Sequence, residues 1–120
     1  MRIGDLATRT RVSVRALRYY EEQGLLASMR TDSGQRVYAD AAVNRVRLIQ
    51  QLYSAGLSSK TIADLLPCVD AKVSTPESRE RLAAERDRIN MQIAELIIAR
   101  DRLDDIIDMT SRPNPECDYA

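Results

Sequence analysis

The 120-residue chain contains no histidine. That absence removes the commonest general base and the commonest zinc ligand, so Ser-His, Cys-His and imidazole-based metal chemistry are excluded within one chain. The remaining carboxylates show no catalytic spacing, and an enzyme is not expected. Cysteine is nearly as scarce. Cys68 and Cys117 are too few and too isolated for a disulfide framework, and a reducing compartment would keep both as thiols. No apolar run approaches the roughly 18–20 residues that cross a bilayer. The N-terminal stretch MRIGDLATRT also lacks the apolar core of a secretory signal. A cytoplasmic protein without a membrane partner is expected. An excess of charge is missing too, since 18 Lys/Arg balance 18 Asp/Glu. The balance is a sum of unlike halves. Residues 1–70 carry 10 Lys/Arg against 7 Asp/Glu, and the remaining 50 carry 8 against 11. A basic head joined to an acidic tail suits a DNA-binding domain with one appended element, which is as much as this length accommodates.

The head reads as short helices and a hairpin. Ile3, Leu6 and Ala7 share one helical face, and Ser13 is placed to cap a second helix over about Val14–Gln23, ended by Gly24. Two short helices around a tight turn form a helix-turn-helix. In the second, Leu17 and Tyr20 face inward, and Arg15, Arg18 and Tyr19 face outward. Arginines three residues apart on one face can reach groove edges or phosphates together, and guanidinium suits bidentate contact with either. Glu21 and Glu22 read as surface charges able to pair with nearby arginines. Asp32-Ser33-Gly34 between Met29-Arg30-Thr31 and Arg36-Val37-Tyr38 predicts a β-hairpin, a wing. Asp40 is placed to cap a third helix carrying Val43, Val46, Ile49 and Leu52 until Gly56, with Arg45 and Arg47 on its solvated face. Ser58 opens a fourth helix with Ile62, Leu65 and Leu66 on one face, and Pro67 is expected to end it.

The head therefore spans 1–67 and a linker spans 68–75. Thr75-Pro76-Glu77 then combines a capping hydroxyl, a proline at the first helical position and an acid in the first turn. The helix that follows, 76–111, would be about 52 Å long at 1.5 Å per residue, too long for so small a head to cover. Leu82, Ile89, Leu96 and Leu103 recur every seven residues, and Arg86, Ile93, Arg100 and Ile107 fill the second seam. This is a coiled-coil pattern in which the two arginines limit stability and fix register, so a specific homodimer is expected. Ile97 and Ile106 widen the stripe, which suggests that the later half of the helix also packs on a head. Residues 112–120 form a tail.

Four ordered motifs, IGDLA (Ile3–Ala7), RALRYYEEQGLL (Arg15–Leu26), SGQRVY (Ser33–Tyr38) and AGLSSKTIADLL (Ala55–Leu66), followed by a dimerisation helix, resemble the MerR family of bacterial transcriptional regulators. The resemblance implies a mainly α fold: a winged helix-turn-helix head followed by a long antiparallel coiled-coil helix. It further implies a homodimer on double-stranded promoter DNA that bends and untwists an overlong spacer, acting on RNA polymerase only through the promoter. By similarity, Arg18 and Tyr19 hold phosphates, Arg36 and Tyr38 hold the flanking backbone from the wing, and Lys60 adds a contact from the fourth helix, with Arg15 nearest the bases. Two positions depart from the family pattern. Arg11 stands where a glycine commonly makes the turn, and Gln35 stands where the wing commonly has tyrosine.

Metal sensors of the family place cysteines at the start of the dimer helix and in a loop beyond it. Here Ser74 lies near the first region and the tail has only Cys117, so no metal or cofactor is expected. A large C-terminal sensing domain is likewise not expected. Cys68 and Cys117 remain candidate effector or redox thiols, against the plainer readings of a small buried side chain and a tail thiol. A competing function is an architectural or partner-binding DNA protein without an effector.

Overall fold

A computed structural model describes residues 1–111, so Cys117 and the expected tail lie outside the described residues. Helix α1 (Ile3–Thr10) buries Leu6 and Thr10, and the Thr10 hydroxyl donates to the Leu6 carbonyl at 2.7 Å, which satisfies it inside the core. Arg11 ends the helix at φ 58°, the left-handed conformation that makes glycine common at such a turn. Helix α2 (Val14–Glu22) then starts at Ser13, whose Oγ accepts from the Ala16 N–H at 3.1 Å. Leu17 and Tyr20 are buried on its inner face, and Tyr20 stacks on Tyr53 with ring centroids 5.7 Å apart. Gly24, at φ 74°, turns the chain back so that Leu25 and Leu26 enter the core.

The wing is a short antiparallel hairpin. Strand β1 (Met29–Arg30) pairs with β2 (Arg36–Val37), Met29 opposite Val37 and Arg30 opposite Arg36. Gly34 supplies the positive φ of the turn, at 84°, and the Thr31 N–H closes it on the Gln35 carbonyl at 2.8 Å. Beyond β2 the pairing changes partner: the Tyr38 N–H donates to the Met1 carbonyl at 2.6 Å, and the Met1 nitrogen donates to the Tyr38 carbonyl at 2.9 Å.

Helix α3 (Ala42–Ser54) buries Ala42, Val46 and Ile49, and helix α4 (Ser59–Ala71) buries Ile62, Leu65 and Leu66. Two expectations fail here. Asp40 does not cap α3; the cap position is Ala41, in a helical conformation, and the carbonyls of Ala39 and Asp40 receive the first N–H groups, leaving the Asp40 side chain in solvent 3.9 Å from Arg9. Pro67 does not end α4. The proline withholds only its own N–H, while Leu65 and Leu66 before it are locked in the core and Arg45 of α3 binds Asp70 after it. The helix therefore continues to Ala71, and residues 68–71, expected in the linker, are helical. Lys72, left-handed at φ 53°, ends it. The same ion pair takes Arg45 off the solvated face, leaving its side chain only 23% exposed.

Helix α5 (Pro76–Ser111) begins as expected, with a reciprocal cap: the Ser78 N–H donates to Thr75 Oγ1 at 3.2 Å, and the Thr75 N–H donates to Ser78 Oγ at 2.8 Å. The chain divides into two compact units, Met1–Ser78 and the stretch beginning at Arg79. In the first, α1 packs on α2 and α3, and α3 packs on α4, around Leu6, Leu17, Leu25, Val46, Ile49 and Ile62, each under 2% exposed. In the second, no residue of α5 is buried; Leu82, Ile93, Leu96, Leu103 and Ile107 are exposed and Ile89 is half-covered. Arg86 and Arg100 each lean on the next residue, Asp87 at 3.3 Å and Asp101 at 3.1 Å.

Candidate nucleic-acid interface

The outer face of α2 carries Arg15, Arg18 and Tyr19, all exposed, and these three with Val14 and Glu22 line one shallow depression. The cause is local. Leu17 and Tyr20 fix the inner face, and helical periodicity turns positions 15, 18 and 19 away from it. Tyr19, 45% exposed, is steadied from α4: its hydroxyl lies 3.3 Å from Ser59 Oγ, which also meets the Tyr53 hydroxyl. That link brings the start of α4 against α2, and the adjacent Lys60 is exposed. A cation in the first turn of a helix opposes the helix dipole.

Arg18 also lines a second cleft, of about 290 Å³, between the start of α1 and the wing, together with Arg2, Ile3, Gln35, Arg36 and Tyr38. Arg18, Arg36 and Tyr38 are thus gathered at one place. Tyr38, however, is not an open contact: it is 2% exposed, and its hydroxyl donates to Glu21 Oε1 at 2.6 Å. Tyr38, expected to hold the flanking backbone from the wing, lines the cleft with its hydroxyl on Glu21. β2 ends at Val37, so strand alternation does not carry the outward face of Arg36 on to residue 38.

Glu21 is the residue that the sequence reading undervalued. Its side chain is 14% exposed, and its second oxygen receives Arg36 Nη1 at 2.6 Å, so one carboxylate of α2 holds two residues of the wing. Burial pushes the carboxyl upward, but hydrogen bonds from Tyr38 and Ser28 and the charges of Arg36 and Arg30 outweigh it and hold it below the usual 4.5. Tyr38 moves the other way. Burial first, then the hydrogen bond and charge of Glu21, push its hydroxyl to about 12. A signal was present in the sequence: Glu21 lies one turn beyond the buried Leu17, and a carboxylate on that side of a helix needs partners. Arg36 keeps a side chain 50% exposed and remains available to a ligand.

Of the candidate thiols, Cys68 lies half-buried in α4 directly after Pro67, in the later part of the helix whose first turn carries Lys60. No helix among the described residues is long and apolar enough to cross a membrane.

The family described as MerR HTH family regulatory protein matches residues 1–67, and the one described as MerR, DNA binding, matches residues 43–106. The nodulation protein NolA of Bradyrhizobium elkanii is 41% identical over 106 residues, covering 88% of this chain but 46% of NolA. The chain thus spans less than half the length of that relative. The HTH-type transcriptional regulator ZntR of Escherichia coli is 32% identical over 98 residues, which cover 79% of this chain and 70% of ZntR. Among solved structures, a MerR family transcriptional regulator from Listeria monocytogenes matches with a TM-score of 0.80 at 29% identity, covering 92% of this chain and 86% of that one. HiNmlR, a MerR family regulator lacking the sensor domain and bound to promoter DNA, matches with a TM-score of 0.77 at 28% identity over 92% of this chain and 89% of that one. The winged helix-turn-helix fold and both family matches lead to one assignment: this chain belongs to the MerR family of DNA-binding transcription regulators.

Proposed function

We propose that the chain acts as a homodimer on a pseudo-palindromic promoter spacer, which it bends and untwists to control transcription in response to a signal still to be identified. The observation that carries this reading is the outward row of Arg15, Arg18 and Tyr19 on α2 beside the wing arginine Arg36. Arg15 reads base edges, and Arg18, Tyr19, Arg36 and Lys60 grip phosphates, which set register without reading sequence. Tyr38 supports that grip from beneath, by holding Glu21. The apolar seam of Leu82, Ile89, Ile93, Leu96, Leu103 and Ile107 pairs with a second copy in an antiparallel coiled coil, so 76–111 serves as the dimerisation helix of the 1–67 head. Contacts from two heads meet the bending cost, on the order of a few kcal/mol. RNA polymerase is reached only through the altered promoter.

Selection of bound duplexes from a random pool tests this directly. Two-fold-related half-sites are expected, because a symmetric dimer reads a symmetric site. Enriched sequences without two-fold symmetry would refute the dimer reading. Serine at both Cys68 and Cys117 tests a thiol-borne signal, which full retention of induction would exclude.

A further inference from the structure

We propose that the cleft between α1 and the wing is a dedicated backbone-phosphate site in which Arg2 and Gln35 complete the grip begun by Arg18 and Arg36. The inference rests on the DNA-binding reading above and adds two residues to it. Three of the six side chains lining the cleft are guanidinium groups, from three separate elements: Arg2 precedes α1, Arg18 is on α2 and Arg36 is on β2. No carboxylate lines it. Two acids lie close by: Glu21 pairs with Arg36 through a single terminal nitrogen and accepts from the Tyr38 hydroxyl, and Asp5 accepts the Arg2 main-chain N–H. Among the described residues Arg2 and Arg18 form no ion pair. Arg2 and Arg18 thus stand beside the paired Arg36 without an ion pair of their own, and the mutual repulsion of the cations is relieved when an anion enters.

Local structure fixes both added residues in place. Asp5 accepts the Arg2 main-chain N–H at 3.1 Å, and Met1 is paired with Tyr38, so the start of the chain is anchored against the wing. Gln35 is anchored by its main chain, which bonds Thr31 through both its carbonyl at 2.8 Å and its N–H at 3.1 Å. Its side-chain amide can therefore present a neutral donor among the three cations, suited to an oxygen of a phosphodiester. Arg18 lines both this cleft and the depression over α2, so a strand whose bases meet Arg15 leads its backbone toward Arg2.

The test uses the full chain and a 30-base-pair duplex of mixed sequence, with affinity measured across a series of sodium chloride concentrations. Arg2→Ala should weaken binding equally on all sequences and lower the slope of log affinity against log salt by up to about 1, whereas Arg2→Lys should keep the slope. Gln35→Glu places a carboxylate among the three guanidinium groups. It should leave urea stability equal or higher while lowering both affinity and slope, which separates lost binding from lost folding. An Arg18→Ala control distinguishes the two ways of failing. If Arg18→Ala lowers the slope but Arg2→Ala and Gln35→Glu do not, the cleft proposal is overturned and the DNA-binding reading stands. If none of the three changes the slope, the DNA-binding surface itself is misassigned.

Discussion

Removing one oxygen atom, in Tyr38→Phe, tests the bracket between recognition helix and wing. In the native protein that hydroxyl is buried and donates to a carboxylate at 2.6 Å. A hydrogen bond to a charged partner contributes about 1.5–3 kcal/mol, so a loss of about 2 kcal/mol is expected at neutral pH. The hydroxyl's rise from 10 to about 12 corresponds to about 2–3 kcal/mol of preference for the neutral form. Burial is the largest cause of that preference, so the hydrogen bond's share lies below the total. The pH dependence follows from the direction of the shift. A folded value above the unfolded one gives a contribution that is complete below 10 and is lost as pH rises through about 12. At pH 11 the native protein should have given up about 1.4 kcal/mol from this group, an amount that phenylalanine cannot lose. Urea unfolding followed by circular dichroism, at fixed chain concentration and at pH 7.5 and 11, measures both. The gap between native and variant should narrow from about 2 kcal/mol to below about 1. Equal stability at pH 7.5, or a gap unchanged at pH 11, would refute the Glu21–Tyr38 bracket.

Other expectations follow from the same structure. Arg15→Ala should weaken binding to a selected site and relax discrimination at one base pair by about 1–3 kcal/mol, whereas Arg18→Ala should weaken all sequences alike; competition binding separates the two. Arg11→Gly relieves a side chain held at φ 58° and should stabilise the head by about 0.5–1 kcal/mol in urea. Leu96→Glu puts a charge into the apolar seam and should shift sedimentation from dimer to monomer without loss of helical signal from the head. Glu21→Gln should remove an acid-sensitive contribution, because a carboxyl held below 4.5 stabilises the fold above that pH and is lost as pH falls through its folded value; the native protein's loss between pH 5 and 3 should shrink in the variant.

Much of this fold was legible because its signals are local. Ser13, Ser58 and Thr75 cap the helices that follow them, as hydroxyls before apolar periodic runs should, and the 32–34 turn lies between two short strands. What escaped depends on distant partners. Pro67 looks like a stop because its own ring is visible in the sequence, whereas the Arg45–Asp70 pair that carries the helix past it joins residues 25 apart. Asp40 looks like a cap, but main-chain carbonyls of Ala39 and Asp40 serve that turn. The outward placement of Arg15, Arg18 and Tyr19 was readable from the spacing of Leu17 and Tyr20. The bracket of Glu21 with Arg36 and Tyr38 spans 15 and 17 residues and required the hairpin to be folded against α2. Arg2 lines the cleft next to the pairing of Met1 with Tyr38, a contact across 37 residues.

Genome-wide footprinting of the purified protein on its host's fragmented DNA tests the central claim most directly. The account predicts discrete footprints over a pseudo-palindrome within an overlong promoter spacer, at affinities orders of magnitude above the non-specific background. Broad, salt-labile binding without a palindrome would contradict it and favour an architectural DNA protein.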